Sequence, residues 1–165
     1  MVSEPQLVVI GETDLLYTRL GVWMIQMKLD GRGPIKVLLD TGATSTILNW
    51  RGVAGMGLSS SSPQLSQNSS PMGAMGADNN ALSLTHRIAV QRRVTFPTAA
   101  NTVTSGPGIS LSRDGLLNVD IGSLPVLDIL EQDGVGGILG TDVLMRCSAV
   151  RLVFQGRNRK IILYE

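Results

Sequence analysis

Val37-Leu38-Leu39-Asp40-Thr41-Gly42-Ala43-Thr44-Ser45-Thr46-Ile47-Leu48 is the stretch on which the reading of the whole chain turns. Val37-Leu38-Leu39 is apolar on both faces of an extended strand, so it is expected at the centre of a sheet. An ionisable Asp40 directly after such a strand needs a reason, because a carboxylate buried without partners is strongly destabilising. Gly42 permits a tight turn, and the small Ala43 lets another backbone or a substrate come close. Thr41 offers one hydroxyl, and the hydroxyls of Thr44, Ser45 and Thr46 surround the turn. By itself the segment admits two readings: a strand-end turn capped by its own Asp, or a carboxylate placed for chemistry.

Outward from this point the chain reads as short apolar runs separated by Gly, Pro, Asn and Asp, the texture of an all-β fold. Leu7-Val8-Val9-Ile10 reads as a first strand. Leu15 to Leu29 then alternates in part, with Val22, Met24, Gln26 and Lys28 on one side and Trp23, Ile25, Met27 and Leu29 on the other. Asp30-Gly31-Arg32-Gly33-Pro34 is a dense turn signal, and Ile35 to Leu39 is the return strand of a hairpin. From Gly52 to Asn80 the periodicity fades into Gly, Ser, Met, Pro and Asn, and the stretch is expected to be a flexible insertion within a single domain over 1–165. Strands are expected again near Ala81–Val90, Arg93–Phe96, Gly108–Leu111, Leu116–Ile121 and Leu124–Leu130. Gly136-Gly137-Ile138-Leu139-Gly140 reads as a buried strand with close backbone approach. Asp142 to Arg146 is expected to form the one clear helix, with Thr141 as its N-cap. Val150–Phe154 and Lys160–Tyr164 close the chain as two strands.

Composition narrows the function classes. A net charge of +1 predicts no strong field for nucleic acid or anionic lipid. The small clusters Arg87, Arg92, Arg93 and Arg157, Arg159, Lys160 lack interleaved aromatics that could stack on bases, so they read as solvated strand ends or turns. Cys147 is the only cysteine, which removes any intrachain disulfide. With no basic n-region before an apolar stretch at Ser3-Glu4-Pro5-Gln6, the expectation is an intracellular protein. No apolar run approaches the ~20 residues of a membrane span. His86 stands alone, and Asp128, Glu131, Asp133 and Asp142 show no metal-ligand spacing, so no metal and no cofactor are expected. Gly134 to Gly140 lacks the Lys and Ser/Thr of a phosphate loop.

The core Asp40-Thr41-Gly42-Ala43, preceded by three apolar residues, resembles the retropepsin-like aspartic peptidases. Far downstream, Gly137-Ile138-Leu139-Gly140-Thr141-Asp142-Val143-Leu144 resembles the family's second signature, two apolar residues and a Gly leading into a short helix. The order of hairpin, Asp-Thr-Gly-Ala, strands, apolar-apolar-Gly and helix matches the family from about Leu15 to Leu163. The resemblance implies a closed retropepsin-like β-barrel with one short C-terminal helix. It implies Asp40 as a catalytic carboxylate, Thr41, Gly42 and Ala43 as loop support, and Ile138, Leu139 and Gly140 packed against that loop or lining a substrate pocket. A Gly-rich flap should fall between Met72 and Val90, with Met72-Gly73-Ala74-Met75-Gly76 as its candidate tip.

The implied chemistry needs two carboxylates sharing one proton: one activates a water, the other polarises the scissile carbonyl. Asp120-Ile121-Gly122-Ser123 has the outline of a second motif but lacks the hydroxyl at its second position and lies too near Ile138-Leu139-Gly140 for a second lobe. It reads as a hairpin turn. One Asp-Thr-Gly per chain therefore implies a homodimer acting on peptides, each copy donating Asp40. In retroviral relatives the chain ends interleave as interface strands, a part that Gln6–Ile10 and Lys160–Tyr164 are apolar enough to play. The alternative is a retropepsin-like fold kept as a non-catalytic dimerisation or peptide-binding module.

Overall fold

The computed structural model describes residues 6–75, 81–97, 106–112 and 115–165. The first strands are β1 (Val9–Asp14), β2 (Leu16–Tyr17), β3 (Trp23–Leu29), β4 (Arg32–Leu39) and β5 (Ile47–Leu48), followed by helix α1 (Trp50–Gly55). Then come β6 (Leu65–Met75), β7 (Ala81–Val90), β8 (Arg93–Thr95), β9 (Ile109–Ser110) and β10 (Leu117–Gly122). A 3-10 segment (Pro125–Asp133), β11 (Val135–Leu139), helix α2 (Thr141–Leu144), β12 (Ala149–Val153) and β13 (Lys160–Tyr164) complete the chain.

The fold is mostly β, as the texture of the sequence implied, but the barrel is not closed. The large sheet runs β6-β7-β10-β5-β11-β4-β3-β8-β9, with β2 beside β3, and its two end strands do not meet. It is a curled half-barrel. The strands at the two chain ends pair with one another, in a separate sheet of order β1-β13-β12. Within one chain Gly11 pairs with Leu163 and Thr13 with Ile161, so the terminal strands serve the core of their own chain.

Alternation in β3 holds from Ile25 onward, with Ile25, Met27 and Leu29 buried and Gln26 and Lys28 half-buried, whereas Met24 is buried too and Trp23 is half-buried. Ile25, Met27 and Leu29 join Val37, Phe96, Val119, Ile121, Leu139, Ile161 and Leu163 in the main core. A second cluster, Met24, Ile47, Leu84, Leu124, Leu127, Leu130 and Val135, is flanked by the half-buried Leu38 and Ile138. Strands β4 and β11 thus have apolar neighbours on both faces, as the unbroken Val37-Leu38-Leu39 run demands.

The β3–β4 turn is anchored by Asp30, which holds a left-handed φ of 49°. Its carboxylate accepts backbone N–H bonds from Gln91 (2.8 Å), Arg92 (2.8 Å) and Arg93 (2.9 Å), tying two distant turns together.

Four sequence expectations are corrected. Leu124–Leu130 is not a strand: Pro125 starts a 3-10 helix, and Leu124, Leu127 and Leu130 are buried at a spacing of three, the period of that helix. Gly52 to residue 75 is not irregular throughout, since it holds most of α1 and the long β6. Helix α1 is capped by Asn49, whose side chain accepts from the Gly52 N–H at 2.9 Å. Asp120 is not in a hairpin turn but within β10, between β7 and β5, where it accepts from Arg87 Nε at 2.9 Å. Finally, α2 starts at Thr141 rather than Asp142, with Gly140 in the cap position and no side-chain cap bond.

Candidate active site

Strand β11 lies between β4, its parallel neighbour, and β5, its antiparallel one. Because the chain passes from β4 to β5 through residues 40–46, the loop carrying Asp40 must arch over the end of β11. The glycines of β11 make the insertion possible. A Cβ on Gly137 would sit 2.4 Å from the Ile47 carbonyl oxygen, and one on Gly136 would sit 2.7 Å from Gly52 Cα. Real side chains do not tolerate such distances from backbone, so these positions exclude any other residue.

The loop is fixed by hydrogen bonds from both sides. The Asp40 N–H donates to the Leu139 carbonyl (3.3 Å), and the Ala43 N–H donates to the Asp40 carbonyl (3.3 Å), closing the turn. The Gly42 N–H donates to Asp40 Oδ1 at 2.8 Å. Gly42 suits that turn for a steric reason as well, since a Cβ there would stand 3.1 Å from the same Oδ1. Asp40, Thr41 and Gly42 are exposed, and Ala43 is half-buried. The carboxylate is therefore oriented by its own loop and open on its outer side.

Helix α2 grips the loop from below. The Thr141 N–H donates to the Ala43 carbonyl at 2.9 Å, and the Thr141 hydroxyl donates to the same oxygen at 3.3 Å. Asp142 accepts from the Thr46 N–H through Oδ2 (2.9 Å), from the Thr46 hydroxyl through Oδ1 (2.7 Å) and from the Val143 N–H (2.9 Å). Thr46, fully buried, also accepts from the Gly140 N–H at 3.0 Å. Arg146 extends the anchor, donating to the carbonyls of Asp142 (3.3 Å), Gly115 (3.2 Å) and Leu116 (3.3 Å).

The structure thus brings together Asp40, Thr41, Gly42 and Ala43 with Leu139 and Gly140, while the half-buried Ile138 flanks the second apolar cluster that includes Ile47 and Leu84. Met72, Gly73, Ala74 and Met75 lie on β6, opposite Leu84, Ser83, Leu82 and Ala81 of β7, and Gly76 lies outside the described residues. Sequence reasoning missed Asp142 and Thr46 as the pair that locks the loop. Their only signal was that Asp142 stands two residues after the apolar-apolar-Gly motif, at a helix start. His86 packs edge-on against Trp50 at 5.0 Å between ring centres. Among the described residues no group of three or more His, Cys, Asp or Glu side chains could hold a metal, and no helix is long and apolar enough to cross a membrane.

No protein-family model matches the chain, and no curated protein matches it. Among solved structures it is similar to a retropepsin-like aspartic protease from Rickettsia conorii, with 17% identity and a TM-score of 0.49. That match covers 99% of this chain and 98% of the other.

Proposed function

We propose that this chain is one half of a homodimeric aspartic endopeptidase in which Asp40 is the catalytic carboxylate. The observation that carries the reading is the exposed Asp40, held between its own Gly42 N–H and the end of β11 in an Asp-Thr-Gly-Ala turn. A strand-end turn that merely capped itself would not need the Thr46–Asp142 clamp or the tightly threaded Gly136-Gly137 pair of the strand beneath it. Both make the loop rigid, which is the requirement for a carboxylate that must meet a substrate in one geometry.

In the assembled pair, the two Asp40 carboxylates hold one proton between them, because like charges a few ångströms apart do not readily both ionise. The ionised member takes a proton from a bound water as the water oxygen attacks the scissile carbonyl carbon. The protonated member gives its proton to the carbonyl oxygen, forming a neutral tetrahedral diol. Collapse of the diol breaks the C–N bond as one carboxyl gives its proton to the departing amine and the ionised carboxylate takes the proton of a diol hydroxyl, restoring the singly protonated dyad. Electrons and protons balance within peptide, water and dyad. An extended peptide would lie across the dimer axis, and the apolar side chains of Ile47 and Ile138 would favour hydrophobic residues beside the scissile bond.

The test compares wild type with Asp40→Asn on a diverse peptide mixture from about pH 3 to pH 8, with cleavage read by mass spectrometry. Cleavage by wild type alone, over a bell-shaped pH range, is the expected result. Equal cleavage by both proteins would remove Asp40 from the chemistry. Absence of cleavage in folded, dimeric protein would favour the non-catalytic module instead.

A further inference from the structure

Between helix α1, the end of β10 and the 3-10 segment lies a cavity of about 230 Å³, and none of its lining residues belongs to the Asp40 loop. Its distance from that loop follows from the ladder along β11. The Asp40 N–H bonds to the Leu139 carbonyl, whereas the N–H of Asn49, at the cavity, bonds to the Gly136 carbonyl. Three residues of strand, ~10 Å, separate the two levels. The volume holds about seven water molecules at ~30 Å³ each. That is less than the ~300–1,000 Å³ of sites for whole small-molecule ligands, and it suits one slender group such as a single side chain.

The lining says what kind of group. The buried Leu124 and Leu127 give the cavity an apolar inner part, and the half-buried Trp50 supplies an aromatic wall. The His86 ring meets Trp50 edge-on at 5.0 Å but does not line the cavity. Three charged residues stand at the opening. Arg51 is spent on Glu131, donating to its carboxylate at 2.9 Å and to its carbonyl at 3.1 Å. Asp128 has no hydrogen-bond or ion-pair partner among the described residues, so the opening keeps one uncompensated negative charge. Its place in the first turn of the 3-10 segment suits the helix dipole, which accounts for the charge but not for the cavity or for Trp50 beside it. The exposed Ser123 adds a hydroxyl that can accept. Among the described residues no group of three His, Cys, Asp or Glu side chains could hold a metal, so a metal ion is not the cation that fits.

We infer that this cavity is a binding site for an aliphatic ammonium group, the kind that ends a lysine side chain or a polyamine. The carbon stem lies against Leu124, Leu127 and the Trp50 ring, and the charged head meets the Asp128 carboxylate and the Ser123 hydroxyl at the opening. Each part answers to one feature of the ligand. An apolar inner part takes methylenes out of water, an aromatic face attracts a cation, and a lone carboxylate with a hydroxyl suits the compact, three-donor ammonium better than a guanidinium fork. The site stands independently of the peptidase reading, because it uses no residue of the Asp40 loop.

The test follows the indole N–H signals of Trp23 and Trp50, the chain's two tryptophans, in proton–nitrogen NMR spectra of the full chain. Trp23 is the internal control, since the Arg159 guanidinium already lies over its ring at 5.5 Å. Butylammonium should shift the Trp50 signal saturably, with a dissociation constant on the order of a millimolar, and leave Trp23 in place. Butanol and butyrate, neutral and negative at similar length, should bind about tenfold more weakly or worse. Asp128→Asn, a change at an exposed residue, should weaken butylammonium about fivefold, and Ser123→Phe should abolish the shift by filling the opening. No saturable shift, butanol binding as tightly as butylammonium, or full affinity in either variant would each overturn the proposal. A blocked Ala-Lys-Ala peptide and spermidine separate the two sources: a peptide that binds at least as tightly as butylammonium assigns the site to a lysine side chain, and binding of spermidine without the peptide assigns it to a free amine. Asp40→Asn should leave the Trp50 titration unchanged, so a chain that cleaves nothing can still carry this site, and an active one can lack it.

Discussion

Replacing Asp142 by Ala removes the acceptor on which the Asp40 loop hangs. Three donors converge on its carboxylate, and two belong to the fully buried Thr46. The third, the Val143 N–H, sits in the first turn of α2 on a residue that is itself fully buried. The Thr46 N–H and hydroxyl are equally without an outlet to water. Each buried donor left without a partner costs about 1–3 kcal/mol, and Asp142 is itself only half-buried, which admits some water. A loss of about 2–4 kcal/mol is therefore expected, a large part of the 5–15 kcal/mol typical of a domain. Urea unfolding at one fixed protein concentration reads this directly: with a slope of 1–3 kcal/mol per molar, the midpoint should fall by about 1–2 M. Asp142→Asn should recover only part, because an amide offers one acceptor oxygen where the two Thr46 bonds use both carboxylate oxygens. Thr46→Val should cost less than Asp142→Ala, and the two together should cost less than their separate losses added. A midpoint for Asp142→Ala within about 0.2 M of wild type would show that the clamp is not holding the loop.

Two further outcomes follow from other parts of the molecule. Gly137→Ala would drive a Cβ to 2.4 Å from the Ile47 carbonyl oxygen, with backbone on that side and nothing soft to yield; it should be insoluble or lose more than about 3 kcal/mol, and a variant melting like wild type would show that β11 does not run between β4 and β5. Burial pushes the Cys147 thiol up to about 11, so at neutral pH only about one in ten thousand is thiolate; iodoacetamide should label the folded protein on the order of a hundredfold more slowly than urea-unfolded protein, and equal rates would place Cys147 in open solvent.

The central part of the fold was legible because its signals are local. The hairpin of β3 and β4 announces itself by alternation and by the Asp30–Pro34 turn, and the Asp-Thr-Gly-Ala segment by an acid after an apolar strand. The 3-10 segment was missed because Leu124, Leu127 and Leu130 also fit a short apolar strand, and only the tertiary cluster they enter selects a period of three. Helix α1 was missed because Gly52 and Gly55 read as breakers. Its two glycines are contact points instead, with a Cβ on Gly52 only 2.2 Å from the Gly136 carbonyl oxygen. The Thr46–Asp142 pair and the Asp30 anchor join residues far apart in sequence, and neither residue type nor spacing along one chain signals such a bond. The same holds for the separate sheet of the chain ends: β1 and β13 are apolar enough for an interface, and their pairing with each other is decided only when the chain folds.

The threading of β11 also sets an order of events during synthesis and folding. Its partners in β4 lie on the order of a hundred positions earlier in the chain. The β3–β4 and β6–β7 hairpins can form as soon as they leave the ribosome, whereas the slot between β4 and β5 stays empty until the Gly136-Gly137 segment arrives. Until then the Asp40 turn lacks the Leu139 carbonyl, the Thr141 hydroxyl and the Asp142 carboxylate that shape it. A nascent or truncated chain ending before Gly140 carries the acidic motif without its scaffold, so the geometry of the Asp40 loop is among the last things this protein acquires.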